Sequence, residues 1–419
     1  MHHLITNICH TKGNGPLPEQ MNRILCKLAI IFAWLNCTAV SAQEEFIEPP
    51  SRPIASIPFI QLTGGIIIIQ AKFENFPDTL NFILDTGSSG ISLDSITADY
   101  FGLSPEPSER TIRGIAGIRK VSFLYNRKLH FHGLTIDSLN FHINDYSILT
   151  AVYGERIDGI IGYSILSRYI IKIDYDSAKV TFCSRGTIRY PRGGYLLKPF
   201  FSQLVSQPMR VSDAKAVSSN FLFDLGAGLC MLFSKELVND SNFIDKKRKR
   251  WPKEGEGPGG KVDMELTVIK EVRIGPYKFK KVPVFIFNDD YNVTSYPNMG
   301  GLLGNDIMRR FNLILNYAKE DIHITPNSHF NDQFDYSYAG MELYLVNGKI
   351  IIGDVAKGSP AEAAGLKEGD EVLAINKSFN QNLNQYKLAL QTPNEKVKMI
   401  LRRDGTIFQL EFRVKSILQ

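Results

Sequence analysis

The sequence predicts an all-β protein of two related lobes, followed by a smaller β/α unit, and three observations predict it. The first is a repeat: an apolar strand runs into an aspartate-bearing turn at Leu80 to Gly90 and again at Asn220 to Gly228, with the same succession of segments behind each turn. The second is period-two alternation in short runs bounded by glycine, which describes half-buried antiparallel strands. The third is composition. The chain has 419 residues, 44% hydrophobic and 22% charged, enough apolar surface for several cores and too much for a disordered chain. Its 48 Lys and Arg against 43 Asp and Glu give +5, too mild to imply a nucleic-acid partner.

At the amino terminus, Arg23 and Lys27 precede the apolar run Leu28 to Leu35, and Val40-Ser41-Ala42 supplies small residues before Gln43. This is the pattern of a secretory signal peptide over 1–42, with Met21 as an alternative start, and the apolar run is too short to span a bilayer. The expectation is an exported protein, periplasmic or extracellular, without a transmembrane anchor after cleavage. Cleavage removes Cys9, Cys26 and Cys37 and leaves Cys183 and Cys230, which either pair or stay as buried thiols.

The first copy (43–200) reads Leu80 to Leu84 as a strand, then Asp85-Thr86-Gly87-Ser88-Ser89-Gly90, strands through Val121 to Phe131 and Leu139 to Ile143, and Asp158-Gly-Ile-Ile-Gly162. A helix-like Tyr163 to Tyr169 and strands Ile170 to Asp174 and Lys179 to Cys183 close it. The second copy (201–328) reads Asn220-Phe-Leu-Phe-Asp224-Leu225-Gly226-Ala227-Gly228, strands Leu266 to Ile274 and Val282 to Phe287, Gly301-Leu-Leu-Gly304, helix-like Asn305 to Phe311, and strands Leu313 to Asn316 and Asp321 to Thr325. Order and spacing repeat together, so equivalent turns are expected to meet across a pseudo-two-fold axis, in a cleft between the lobes.

Glycine two positions after each aspartate permits a tight turn that aims the carboxylate out of the sheet. Two carboxylates at close range share one proton, so one member accepts a proton while the other donates a hydrogen bond. Asp85-Thr86-Gly87-Ser88-Ser89 followed by Ile160-Ile161-Gly162 resembles the pepsin and retropepsin aspartic proteases, in a duplicated-lobe, bacterial form. The resemblance implies a bilobal aspartic protease fold and hydrolysis of internal peptide bonds in an extended polypeptide substrate, with no metal and no cofactor. It also implies Asp85 and Asp224 as the catalytic pair, supported by Thr86, Gly87, Ser88, Leu225 and Gly226. Thr86 would join the grip between lobes and Ser88 would brace Asp85. The second turn departs from the pattern: Leu225 stands for threonine and Ala227 for the bracing serine, which predicts a raised pKa for Asp224. The rival reading of the same residues is a weakly active or inactive peptide-binding cleft.

A hairpin over Thr111 to Ile118 offers a flap whose tip is Gly114, Ile115, Ala116 and Gly117. Residues 245–261, with five consecutive basic residues from Lys246 to Arg250 beside Trp251, show no apolar period and are expected to form a solvent-exposed loop. After a polar linker (329–337), residues 338–419 combine short apolar strands, Gly358-Ser359-Pro360-Ala361, Gly369-Asp370, a helix over Leu383 to Leu390 and a hairpin across Asp404-Gly405. This unit resembles a PDZ domain of the bacterial protease-associated kind. That resemblance implies a peptide or C-terminal ligand added at a strand edge, with Gly340, Met341, Glu342 and Leu343 as the carboxylate loop. Glu342 puts an acid where a carboxylate must approach.

Overall fold

The computed structural model describes residues 48–257 and 259–418. The expected signal peptide and its cleavage point lie outside the described residues. Among those described, no helix is long and apolar enough to cross a membrane.

The repeat read from the sequence is a repeat of topology. In the first lobe Leu80–Leu84 lies parallel to Gly159–Ile161, which lies antiparallel to Ile91–Asp94, which lies parallel to Leu134–Asn144. In the second, Ala216–Phe223, Gly301–Leu303, Met231–Ser234 and Tyr277–Phe287 pair in the same order and the same senses. Each sheet then closes on itself. Ile67–Phe73 pairs with both Leu80–Leu84 and Phe123–Phe131 in the first lobe, and Val205–Ser212 pairs with both Ala216–Phe223 and Gly260–Ile274 in the second. Closure removes open sheet edges and leaves an apolar interior, in which Phe73, Phe82 and Phe141 of one barrel and Phe221, Phe233 and Ile269 of the other are wholly buried.

The lobes are joined beneath the cleft by a sheet to which both contribute. Ile170–Asp174 pairs antiparallel with its counterpart Phe311–Asn316, bringing Ile171 opposite Leu315 and Ile173 opposite Leu313. Lys179–Cys183 and Asp321–Pro326 flank this pair, with Pro53–Gln61 and Tyr195–Leu197 outside them. A strand paired with its own twin is what an internal two-fold requires at its axis.

Two glycine-closed runs lock the turns to these sheets. A Cβ on Gly162 would stand 2.2 Å from Ser88 O, and one on Gly304 would stand 2.1 Å from Leu229 O, so no larger residue fits behind either aspartate turn. Three helices connecting strands were not expected from the sequence: Ser95–Tyr100, Ser147–Tyr153 and Lys235–Ser241. Asp94 and Ser234 cap two of them, each accepting a backbone N–H three residues on.

The exposed loop expected at 245–261 is not what forms. Trp251–Gly257 is a strand paired along its whole length with Gly260–Ile274, and Trp251 is buried against Tyr338, with ring centroids 4.8 Å apart. The basic residues are tied down as well: Arg248 pairs with the buried Asp213 at 2.6 Å, Arg250 pairs with Glu265 at 2.6 Å, and Lys249 lies 4.1 Å over the Trp251 ring. Alternation there was hidden because the strand's apolar partners lie far away in sequence.

The carboxy-terminal unit is a five-stranded antiparallel sheet in the order Met341–Val346, Lys349–Val355, Glu371–Ile375, Lys396–Arg403, Thr406–Arg413, with the helix Leu383–Ala389 packed on it. It is joined to the second lobe through 327–336, where Phe330 and Phe334 pack on Phe279. The fully buried Arg310 lies 4.1 Å over the Phe334 ring and donates to Asp332 O. Ser337–Tyr338 pairs with Lys415–Ser416, and Tyr338 and Ile417 share an apolar cluster with Trp251, Leu266 and Val268. Cys183 and Cys230 are both free and buried, in separate apolar clusters.

Candidate functional site: a carboxyl pair in a cleft shared with the terminal module

Each aspartate ends its strand in the same way. Asp85 N donates to Ile161 O at 2.9 Å and Asp224 N donates to Leu303 O at 3.0 Å. The chain then turns so that Gly87 N donates to Asp85 Oδ1 at 2.6 Å and Gly226 N donates to Asp224 Oδ1 at 2.8 Å. The two turns cross. A Cβ on Gly87 would lie 2.6 Å from Asp224 Cγ, and one on Gly226 would lie 2.5 Å from Asp85 Cγ. Each glycine is therefore required by the carboxylate of the opposite lobe.

Thr86 bonds the lobes together. Its Oγ1 donates to Phe223 O at 2.6 Å and accepts from Leu225 N at 3.0 Å, both in the other copy. Leu225 is completely buried and makes no reciprocal bond. Asn305, also fully buried, takes up part of that role: its Nδ2 donates to Leu225 O at 3.1 Å and to Gly65 O at 2.6 Å, while Tyr175 OH donates to its Oδ1 at 2.7 Å. Nothing near Asn305 along the chain points to this bond, because its partners lie in three distant segments.

The carboxyl groups of Asp85 and Asp224 come together across the crossed turns, each against the glycine of the other lobe. Burial lifts Asp85 above 3.8, although the neighbouring Asp224 carboxyl and the backbone N–H groups of Gly87, Gly226 and Ser88 pull it back. Asp224 rises well above 3.8, through burial first and then through repulsion by Asp85. The pair titrates as a unit and holds one proton between its two carboxyl groups. The raised pKa thus has a different cause from the missing serine at Ala227, whose backbone N–H reaches Asp224 and lowers its pKa. Ser88 likewise acts on Asp85 through its backbone N–H. Both carboxyl groups line one cavity and offer hydrogen-bonding oxygens to whatever enters it.

The flap tip, Gly114 to Gly117, closes a two-stranded hairpin and meets the tip of the second-lobe hairpin. Arg119 Nη2 donates to Gly259 O at 2.9 Å, Arg113 Nη1 donates to Asn292 O at 3.1 Å, and a Cβ on Gly257 would lie 2.9 Å from Ile115 Cγ1. Two hairpins, one from each lobe, therefore meet, and both line the cavity that contains the carboxyl pair.

Beneath them lies a cavity of about 870 Å³ that reaches from Asp85 and Asp224 to the terminal module. Its walls include Tyr153, Lys253 and Glu256 of the lobes, the predicted loop residues Gly340, Met341, Glu342 and Leu343, and Lys387 and Leu388 of the module's helix. Burial and the nearby Glu256, Asp224 and Asp85 carboxylates all raise the pKa of Tyr153, which stands between the pair and the module.

Comparison with known proteins adds two findings. A family model described as Aspartyl protease matches residues 69–165 and 208–307, a little under half of the chain, and one described as PDZ domain matches residues 351–403. A curated relative, Carboxy-terminal processing protease CtpB of Bacillus subtilis (strain 168), is 41% identical over 91 residues, which are 20% of this chain and 19% of the relative. The chain therefore spans about a fifth of that relative's length. These findings correct the expectation drawn from the sequence. The relative is named as a carboxy-terminal processing protease rather than as a pepsin- or retropepsin-type endopeptidase, and the aspartyl-protease match stops short of half the chain. Assignment of the protein as an aspartic-type endopeptidase is withdrawn for a coarser one. The chain is similar to known proteins as a duplicated, protease-like all-β domain followed by a PDZ module.

Proposed function

We propose that this protein engages extended polypeptides in the cleft between its lobes and processes them as a protease-like protein, with the Asp85–Asp224 pair as the polar centre of the site and the PDZ module as a second peptide-engaging element. The observation that carries this reading is the crossing of the two turns, in which Gly87 abuts Asp224 and Gly226 abuts Asp85. The crossing brings two acids together in the wall of a cavity, a costly placement that joining two barrels does not require. With one proton between them, the two carboxyl groups offer a bound chain both a donor for its C=O and an acceptor for its N–H. Thr86 and Asn305 hold the two turns in register. The name of the curated relative supports the carboxy-terminal part of a polypeptide as the substrate class.

The test is incubation of the full chain with unfolded polypeptides, with fragments followed by mass spectrometry, for wild type, Asp85→Asn and Asp224→Asn. Wild type is expected to shorten its substrates, and each substitution to weaken capture of the extended chain in the cleft, read as a raised KM. Unchanged KM and undiminished processing in both variants would remove the pair from the substrate site. Peptide binding without any fragment from wild type would contradict processing.

A further inference from the structure

The module's outer strand, Met341–Val346, is covered: the first-lobe helix Ser147–Tyr153 packs on it. The module's own helix, Leu383–Ala389, holds that covering helix at its carboxy-terminal end. Lys387 Nζ donates at 2.6 Å to Val152 O, one of the carbonyls that a helix end leaves without a partner. A Cβ on Gly154 would lie 3.0 Å from Leu383 Cβ, so the two segments abut. Gly154 closes the helix in the left-handed conformation, at φ 69°, and its N–H returns to Thr150 O at 2.9 Å. The last turn of Ser147–Tyr153 is thus fixed by its own cap and by the module.

That turn carries Tyr153, which lines the cavity that contains Asp85 and Asp224. Its ring packs against the apolar cluster of Leu62, Ile83, Leu149 and Ile160, so the aromatic body is anchored. The hydroxyl is uncommitted. Tyr146 bonds with Ser92, Tyr175 with Asn305, Tyr338 with Pro252 and Tyr344 with Glu254, as half-buried and buried phenols ordinarily do. Among the described residues, none makes a hydrogen bond with the Tyr153 hydroxyl. A polar atom left so at the wall of a cavity is completed by what enters the cavity.

The chemistry of that entrant follows from the rest of the wall. Asp85, Asp224 and Glu256 supply carboxyl oxygens, whereas the wall's cations are committed: Lys253 to Glu342, Lys387 to Val152 O, Arg113 to Asn292 O, and Arg309 to Asp306 and Asp332. An extended polypeptide brings a C=O for almost every N–H. Carboxylates serve its N–H groups, and its carbonyls need a donor. Burial and the neighbouring acids keep the Tyr153 phenol protonated, so it is a donor.

We propose that the Tyr153 hydroxyl donates a hydrogen bond to a main-chain carbonyl of the polypeptide in the cleft, and that the terminal module serves this contact by holding the helix end that presents it. The proposal rests on the reading of the cleft as a polypeptide site and deepens it. It gives the module a part in that site through Lys387 and Leu383, and it needs no ligand bound to the module.

The test uses the full chain and a decapeptide from a site at which wild type processes an unfolded polypeptide. The peptide is made as the parent and as a series with each amide in turn replaced by a thioamide, a weaker acceptor. Tyr153→Phe removes only the hydroxyl and is expected to raise KM for the parent about fivefold, the size of one neutral hydrogen bond, with kcat and melting temperature unchanged. One thioamide should raise the wild-type KM by a similar factor and add nothing in Tyr153→Phe. Lys387→Met should raise KM in the wild-type chain and not in Tyr153→Phe, and Lys387→Arg should keep the wild-type value. An unchanged KM in Tyr153→Phe, or thioamide effects that are the same with and without the hydroxyl, overturns the proposal while continued processing by wild type leaves the cleft reading intact. An equal rise for Lys387→Met in both backgrounds overturns the module's part. A wild type that neither binds nor processes any polypeptide overturns both the proposal and the reading beneath it.

Discussion

At the scale of the residue, the raised pKa of Asp224 has a thermodynamic consequence. Its pKa in the folded protein lies well above 3.8, whereas the unfolded chain ionises near that value. Below 3.8 both states hold the proton and nothing is lost. As pH rises, the unfolded state releases its proton first, so stability falls until pH passes the folded value. Asp224→Asn removes this cost. The variant is expected to melt above wild type at pH 7, with the difference closing as pH falls toward 4, in thermal scans at several pH values. A variant that is less stable at neutral pH would contradict the placement of the strain. Asp85, Asp224, Thr86 and their glycines were legible in the sequence because a tight turn's chemistry is written in consecutive residues. Asn305 was not, since it acquires its role from partners more than 70 residues away.

At the scale of the element, the second-lobe hairpin shows how local pattern misleads. Five consecutive cations followed by glycine and glutamate read as a solvated loop, yet Trp251 turns the segment into a strand by burying its ring beneath Tyr338, next to Leu266, Val268 and Ile417. Trp251→Ala removes that anchor. Substitutions of this size in a well-packed cluster cost about 3–5 kcal/mol. The hairpin tip at Gly257 to Gly260 and the pairing of Lys253 with Glu342 both depend on it. Hydrogen exchange is expected to show faster exchange across 251–266 in the variant, with the first-lobe barrel unchanged. Uniform loss of protection in both lobes would mean that the hairpin is part of the global core.

At the scale of the whole molecule, the repeat gives two closed barrels over a shared sheet, and the described residues from Pro50 onward form one compact unit that includes the terminal module. The two-lobed plan was legible because each copy repeats the same order of strands. How the module sits was not, because Tyr338, Tyr344 and Ile417 give no periodic sign of the lobe residues they cover. Removing residues 337–419 uncovers Trp251, Leu266 and Val268 together, and a contiguous exposed apolar patch promotes association. The truncated chain is expected to self-associate in sedimentation velocity where the full chain does not, and a truncated chain that remains monomeric would contradict the module's role as a cover.

The central claim is that two carboxyl groups, one from each copy, share a proton at the floor of the cleft. Carbon-13 NMR of protein labelled at the aspartate carboxyl carbons, with Asp85→Asn and Asp224→Asn used for assignment, follows it directly through a pH titration. Both resonances are expected to respond to two coupled steps, the upper one lying well above the ordinary carboxylate range and absent from either variant. Two independent single-step titrations near 3.8 would contradict it.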